Sequence, residues 1–117
     1  MVYAAVRRGL VMEELGRDNG CDADQRGELF ICGVFSLLDR LLQQPLAELM
    51  NNLPTTEAVR SALVQGSGPL QAYLALVRAV ESAALHDIRE AAEGLMMSLP
   101  AVNRAVLRAL VAARQLD

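Results

Sequence analysis

A chain of 117 residues, 53% apolar and 21% charged, is long enough for one domain and too apolar to stay disordered. Its formal net charge of −3 gives no general attraction to nucleic-acid backbones or anionic lipid. Aromatic residues make up only 3%, so the core must be aliphatic, built from Leu, Val and Ala with a few Met. All eleven cations are Arg, and the acidic groups are spread along the chain without forming a tail. Cys21 and Cys32 form no CxxC pair, which points away from a disulfide scaffold and toward a reducing cytoplasm. The opening stretch MVYAAVRRGLVMEELG is interrupted by Arg7, Arg8, Glu13 and Glu14, so it does not read as a signal peptide, and no run is long enough to span a bilayer.

Taken in order, residues 2–17 form a first helix with two apolar strips, Tyr3, Val6 and Leu10 on one side and Ala4, Val11 and Leu15 on another. Residues 18–27 read as a polar loop, with Gly20 placed to end that helix. A second helix spans 28–43. Pro45 starts a short third, with Leu46, Leu49 and Met50 facing inward. Thr56 is placed as the N-cap of the next helix, and Gly66 as its stop. Ser67 and Pro69 then open a helix carrying Leu70, Tyr73, Leu74, Val77 and Val80. A helix over 87–97 takes Asp87 as its N-cap, and Ser98 caps the last one. That last helix has an apolar stripe of Leu99, Val102, Val106, Leu110 and Ala113, opposite Arg104, Arg108 and Gln115. No segment alternates like a strand, so the expected fold is an all-α bundle of about six or seven helices.

Candidate sites are few. His86-Asp87 is the kind of dipeptide that ligates metal in HD phosphohydrolases, but one imidazole and one carboxylate do not make a catalytic site. DADQRGE (22–28) starts like a calcium loop, yet Arg26 and Gly33 stand where oxygen ligands are required. The segment 57–82 has the length of a helix-turn-helix, but its second helix offers chiefly Gln71, Arg78 and Glu81 for reading bases. In the second helix, Cys32, Gly33 and Ser36 form a narrow small-residue seam. This implies a close helix–helix contact at Gly33 and Ser36, with the Ser36 hydroxyl bonded back to the Cys32 carbonyl.

FICGVFSLLDRLLQQPLAELMNNLPTTEAVRSALVQGSGPLQAYLALVRAVES resembles the C-terminal part of the HDOD domain, in the version that follows EAL domains of the cyclic di-GMP phosphodiesterase type in bacterial signalling proteins. The resemblance rests on Gly33–Asp39, Pro45, Leu53-Pro54 and Gly68-Pro69-Leu70 in that order, and continues into the last helix. It implies an HD-related helical fold in which Ser36 and Leu37 stand where many members carry a His-Asp pair. It further implies a signalling domain without catalysis, metal or cofactor. The family's N-terminal helices have no counterpart here, so the chain is either a single helical domain or the C-terminal portion of an HDOD domain.

Three functions follow as expectations. The first is a regulatory or protein-interaction module in bacterial signal transduction, with a protein partner or an EAL-type domain and neither nucleic acid nor membrane. The second is a degenerate metal-dependent phosphohydrolase using Asp39 or His86. The third is a small DNA-binding regulator. A homodimer is also expected, through whichever strip of the first helix is uncovered, Tyr3, Val6 and Leu10 or its Ala4, Val11 and Leu15 counterpart.

Overall fold

Six buried small or aliphatic residues in the first, seventeen-residue helix decide the architecture. In the computed structural model, which describes residues 2–116, α1 (Val2–Asp18) buries Ala5, Gly9, Val11, Met12, Leu15 and Gly16 together with Arg8. It packs most extensively on α2 (Ala23–Phe35) and next on α8 (Leu99–Arg114). Between them the chain forms α3 (Leu38–Leu42), α4 (Leu46–Asn52) and α5 (Glu57–Arg60), which runs on as a π-helical turn over Ser61–Gln65. Then come α6 (Gln71–Ser82) and α7 (Leu85–Gly94). Among the described residues there is no strand, and the fold is the expected all-α bundle. No single helix is long and apolar enough to cross a membrane.

The core is aliphatic, as the composition requires. Met12, Leu15, Leu29, Met50, Leu74, Leu76, Val59, Val77 and Val102 are its large, fully buried side chains. α6 supplies Tyr73, Leu74, Leu76, Val77 and Ala79 from twelve residues, which makes it the central helix. Buried apolar side chains of this size each contribute about 1.5–3 kcal/mol.

Several boundaries differ from the sequence expectation. The loop after α1 is shorter than 18–27, because Asp22 opens α2 with a capping box: its carboxylate accepts from Gln25 N–H at 2.8 Å, and the Gln25 side chain accepts from Asp22 N–H at 3.0 Å. The helix expected over 28–43 breaks at Ser36-Leu37, where Leu37 leaves helical geometry (φ −109°, ψ 1°). This break accounts for an extra helical segment. It also leaves Leu41 and Leu42 exposed on α3. Ser67 does not cap α6, which begins at Gln71 after a turn in which Gln71 N–H reaches the Gly68 carbonyl. Asp87 is not a cap either: α7 starts at Leu85, and Asp87 lies in its first turn, where its charge complements the helix dipole. Thr56 and Ser98 do cap their helices, accepting from Val59 and Ala101 N–H, and Gly66 ends the π turn in the left-handed conformation.

Two faces are corrected more deeply. α8 buries Val102, Ala105, Ala109 and Ala113: of the expected stripe, Val102 and Ala113 are inside and Leu99 and Val106 pack against the core, but Leu110 is exposed, as are Leu107 and Val111 beside it. Its inward face carries the side chains small enough for close approach to α1, and Arg108 is drawn across to Asp18 at 2.6 Å. Val11, expected on an uncovered strip, is only 6% exposed because it belongs to the core cluster. Val6 and Leu10 are half-buried, and Tyr3 alone of that set is exposed, with the Arg7 guanidinium 5.6 Å from its ring centroid. The first helix is therefore largely covered from within.

Candidate functional site: a polar cleft over Arg8

The seam of small residues in α2 has a partner in α1. A β-carbon on Gly33 would lie 2.6 Å from Gly9 Cα, so the two backbones touch where neither residue has a side chain. That contact brings Arg8, the residue before Gly9, within reach of Ser36, one turn beyond Gly33. Arg8 is 8% exposed, and burial of a guanidinium requires that its donors be used. Its Nε and Nη2 donate to the two Glu81 carboxylate oxygens at 3.0 and 2.5 Å, and Nη1 donates to Ser36 Oγ at 2.9 Å. The fork-to-fork pairing with Glu81 ties α1 to the end of α6. The Ser36 hydroxyl in turn donates to the Gly33 carbonyl at 2.7 Å, one residue later than the expected Cys32 acceptor.

Above this network lies a cleft of about 390 Å³, lined by Arg8, Ser36, Leu37, Asp39, Arg40, Leu46, Arg78, Glu81 and Ser82. Four helices and the α2–α3 junction contribute to it, and its wall is predominantly polar. The break at Ser36-Leu37 is what turns α3 so that Asp39 and Arg40 face the same space as Arg78. Asp39 Oδ1 accepts from the Arg40 backbone N–H at 2.9 Å. Beneath the cleft the fully buried Cys32 thiol is pushed up to about 11 by desolvation, with the positive fields of Arg78 and Arg8 opposing the shift.

The residues that sequence reasoning linked to metal chemistry fall in two separate places. Asp39 lines this cleft. His86 stands in the first turn of α7, fully solvated, 3.6 Å from Glu90. Asp87 and Glu90 line a different groove, between α6 and α7, separated from the cleft by the ridge of Arg78 and Ser82 that both share. His86, Asp87 and Glu90 place their ligand atoms within 4.8 Å of one another, all on one exposed helical turn. The helix-turn-helix reading meets a different obstacle, because α6 would be its recognition helix and is buried through the middle of the fold.

Sequence reasoning missed Arg8 and Glu81, which are separated by 73 positions. The available signal was an arginine beside Gly9 on an otherwise apolar helix face.

No known family profile matches the chain, and no solved structure matches it. Among curated proteins, it is 31% identical over 84 residues to the cyclic di-GMP phosphodiesterase CdgJ of Vibrio cholerae serotype O1, an alignment that covers 72% of this chain. The chain spans about a fifth of that relative's length, 19%. It is a distant homologue of a part of that protein.

Proposed function

We propose that this chain is a non-catalytic regulatory and protein-interaction module of bacterial signal transduction, an HDOD-like domain of the cytoplasm associated with cyclic di-GMP signalling. Its likeness to part of a cyclic di-GMP phosphodiesterase supports the signalling context. The observation that carries the non-catalytic reading is the chemistry at the position matched to the His-Asp pair. Ser36 and Leu37 stand there, and the Ser36 hydroxyl is committed to Arg8 and to the Gly33 carbonyl. A hydroxyl and an isobutyl group offer neither the imidazole nor the carboxylate that holds a divalent ion in a hydrolytic centre. The module then acts by docking on a protein partner, with an EAL-type catalytic domain the first to test.

The experiment measures cyclic di-GMP hydrolysis by a separate EAL-type domain with and without this chain, and by this chain alone with Mn²⁺. The reading expects no turnover by the chain alone and a change in the EAL-type domain's rate on addition. Metal-dependent turnover by the chain alone, abolished by Asp39→Asn, would establish the degenerate phosphohydrolase instead.

A further inference from the structure

The cleft over Arg8 holds three guanidinium groups, Arg8, Arg40 and Arg78, and two carboxylates, Asp39 and Glu81, an excess of one positive charge in a chain of net charge −3. Glu81 is engaged, holding Arg8 through both oxygens, whereas Asp39 accepts the Arg40 backbone N–H through one oxygen and keeps its charge. Arg40 and Arg78 are different. Neither pairs with a carboxylate among the described residues, whereas Arg8, Arg17 and Arg108 all do. They approach the same space from α3 and α6, and Arg8, whose charge Glu81 balances, lines it with them and has two N–H groups that make no hydrogen bond among the described residues.

We propose that this cleft binds a phosphate group, either the free ion or the terminus of a small phosphomonoester, held between Arg40 and Arg78 above Arg8. Planar guanidinium forks match the oxygens of a tetrahedral dianion, and donors from two opposing walls can each take a different oxygen. The lining contains no aromatic residue, and Leu37 and Leu46 are its only large apolar members, so a nucleobase would find no stacking surface. The ligand is accordingly a compact oxyanion with little attached apolar surface.

The test is a titration of the uniformly ¹⁵N-labelled chain, following the arginine Nε–H and backbone amide signals. Inorganic phosphate and glycerol 3-phosphate are the probes, with sodium chloride at matched ionic strength as the control. The proposal expects saturable shifts confined to the cleft, at Ser36, Leu37, Leu46 and the three arginines. Arg40→Gln or Arg78→Gln should each weaken binding by about tenfold, the loss of one charge-assisted hydrogen bond. Arg89→Gln, exposed on α7, should leave binding unchanged. Tighter binding of the glycerol ester identifies a phosphomonoester as the ligand type, and equal or tighter binding of the inorganic ion identifies phosphate itself. Shifts that sodium chloride reproduces, or saturable shifts that survive in the Arg40→Gln/Arg78→Gln double variant, would overturn the proposal. Both arginines are exposed, and unchanged circular dichroism of the variants separates lost binding from lost folding.

Discussion

Gly33 and Gly9 meet backbone to backbone: a β-carbon on Gly33 would stand 2.6 Å from Gly9 Cα, and one on Gly9 would stand 2.7 Å from the Phe30 carbonyl oxygen. Neither distance is compatible with a methyl group, and backbone cannot move aside as a flexible side chain can. Gly33→Ala is therefore expected to destabilise by about 1–3 kcal/mol, and Gly33→Leu by more. Gly27, in the same helix with open space where its β-carbon would go, gives the opposite sign: Gly27→Ala should stabilise by about 0.4–1 kcal/mol. Urea melts of the variants check both, and equal effects at the two glycines would sink the close-contact account.

Ser36 is a structural acceptor as well as a donor. A hydroxyl bonded only within its own helix would be nearly dispensable, but Ser36→Ala also leaves Arg8 Nη1 without its partner in a buried setting. The expected loss is about 1–3 kcal/mol by urea denaturation.

Glu81 stabilises Arg8 from a position with 34% side-chain exposure. Glu81→Gln should cost about 1–2 kcal/mol, below the range for a fully buried pair, because water already screens the partly exposed Glu81 carboxylate. Arg8→Met should cost less than Glu81→Gln, since the orphaned Glu81 can be hydrated while an orphaned Arg8 stays buried. Thermal melts of the two variants side by side decide the order.

Val11 and Leu107 separate inside from outside. Val11→Asp buries an unpaired carboxylate in the core and should destabilise by about 3–5 kcal/mol. Leu107→Gln, at a side chain 62% exposed, should stay within about 0.5 kcal/mol of the parent. Sedimentation of Leu107→Gln and Val111→Gln beside the parent also reports whether the exposed face of α8 mediates self-association.

The two cysteines should differ in reactivity. Cys32 is fully buried, and its thiol is pushed from an ordinary 9.0 to about 11, so at pH 8 it is protonated and shielded. A disulfide reagent should modify Cys21 in the folded chain and Cys32 only on unfolding. The same shift sets a pH window. The folded state holds the Cys32 proton more tightly than the unfolded state does, so this contribution is complete below pH 9 and is lost as pH rises from 9.0 toward about 11. Burial raises the Tyr73 hydroxyl in the same direction. Stability should fall by about 2–3 kcal/mol across that window from Cys32, and Cys32→Ala should remove that part of the fall and keep only the part due to Tyr73.

Much of this arrangement was legible in the sequence. Helical periodicity, together with the caps at Thr56 and Ser98 and the stop at Gly66, places most elements, because these are local effects of side chains on neighbouring backbone. The close approach at Gly33 could also be read, since only small residues permit it. The start of α2 was obscured because Asp22-x-x-Gln25 serves as a capping box while sharing its acidic residues with the opening of a calcium loop. The face of α8 was read in part, with Leu110 the member misplaced, for a physical reason. Hydrophobicity ranks Leu above Ala, but a helix pressed close to α1 admits Ala105 and Ala109 and leaves Leu110 outward. The cleft itself was illegible, because Arg8, Ser36 and Glu81 meet only after three helices have docked.

The π turn over Ser61–Gln65 has an implication for how the length of this chain can change. Both Gly66 and Ser67 N–H groups return to the Ser61 carbonyl, so the turn holds one residue more than regular helical winding would need. It lets a nine-residue helix lean on α2 at its start and on α4 and α6 at its end. In a regular helix, deleting one residue turns everything beyond it by about 100°. Here the wider turn absorbs the extra residue locally, so a single-codon deletion within 61–65 restores regular winding with the residues on either side keeping their faces. This short segment is therefore where the chain can lose one residue at least cost to the packing, and a deletion there should be tolerated better than one within α6 or α8.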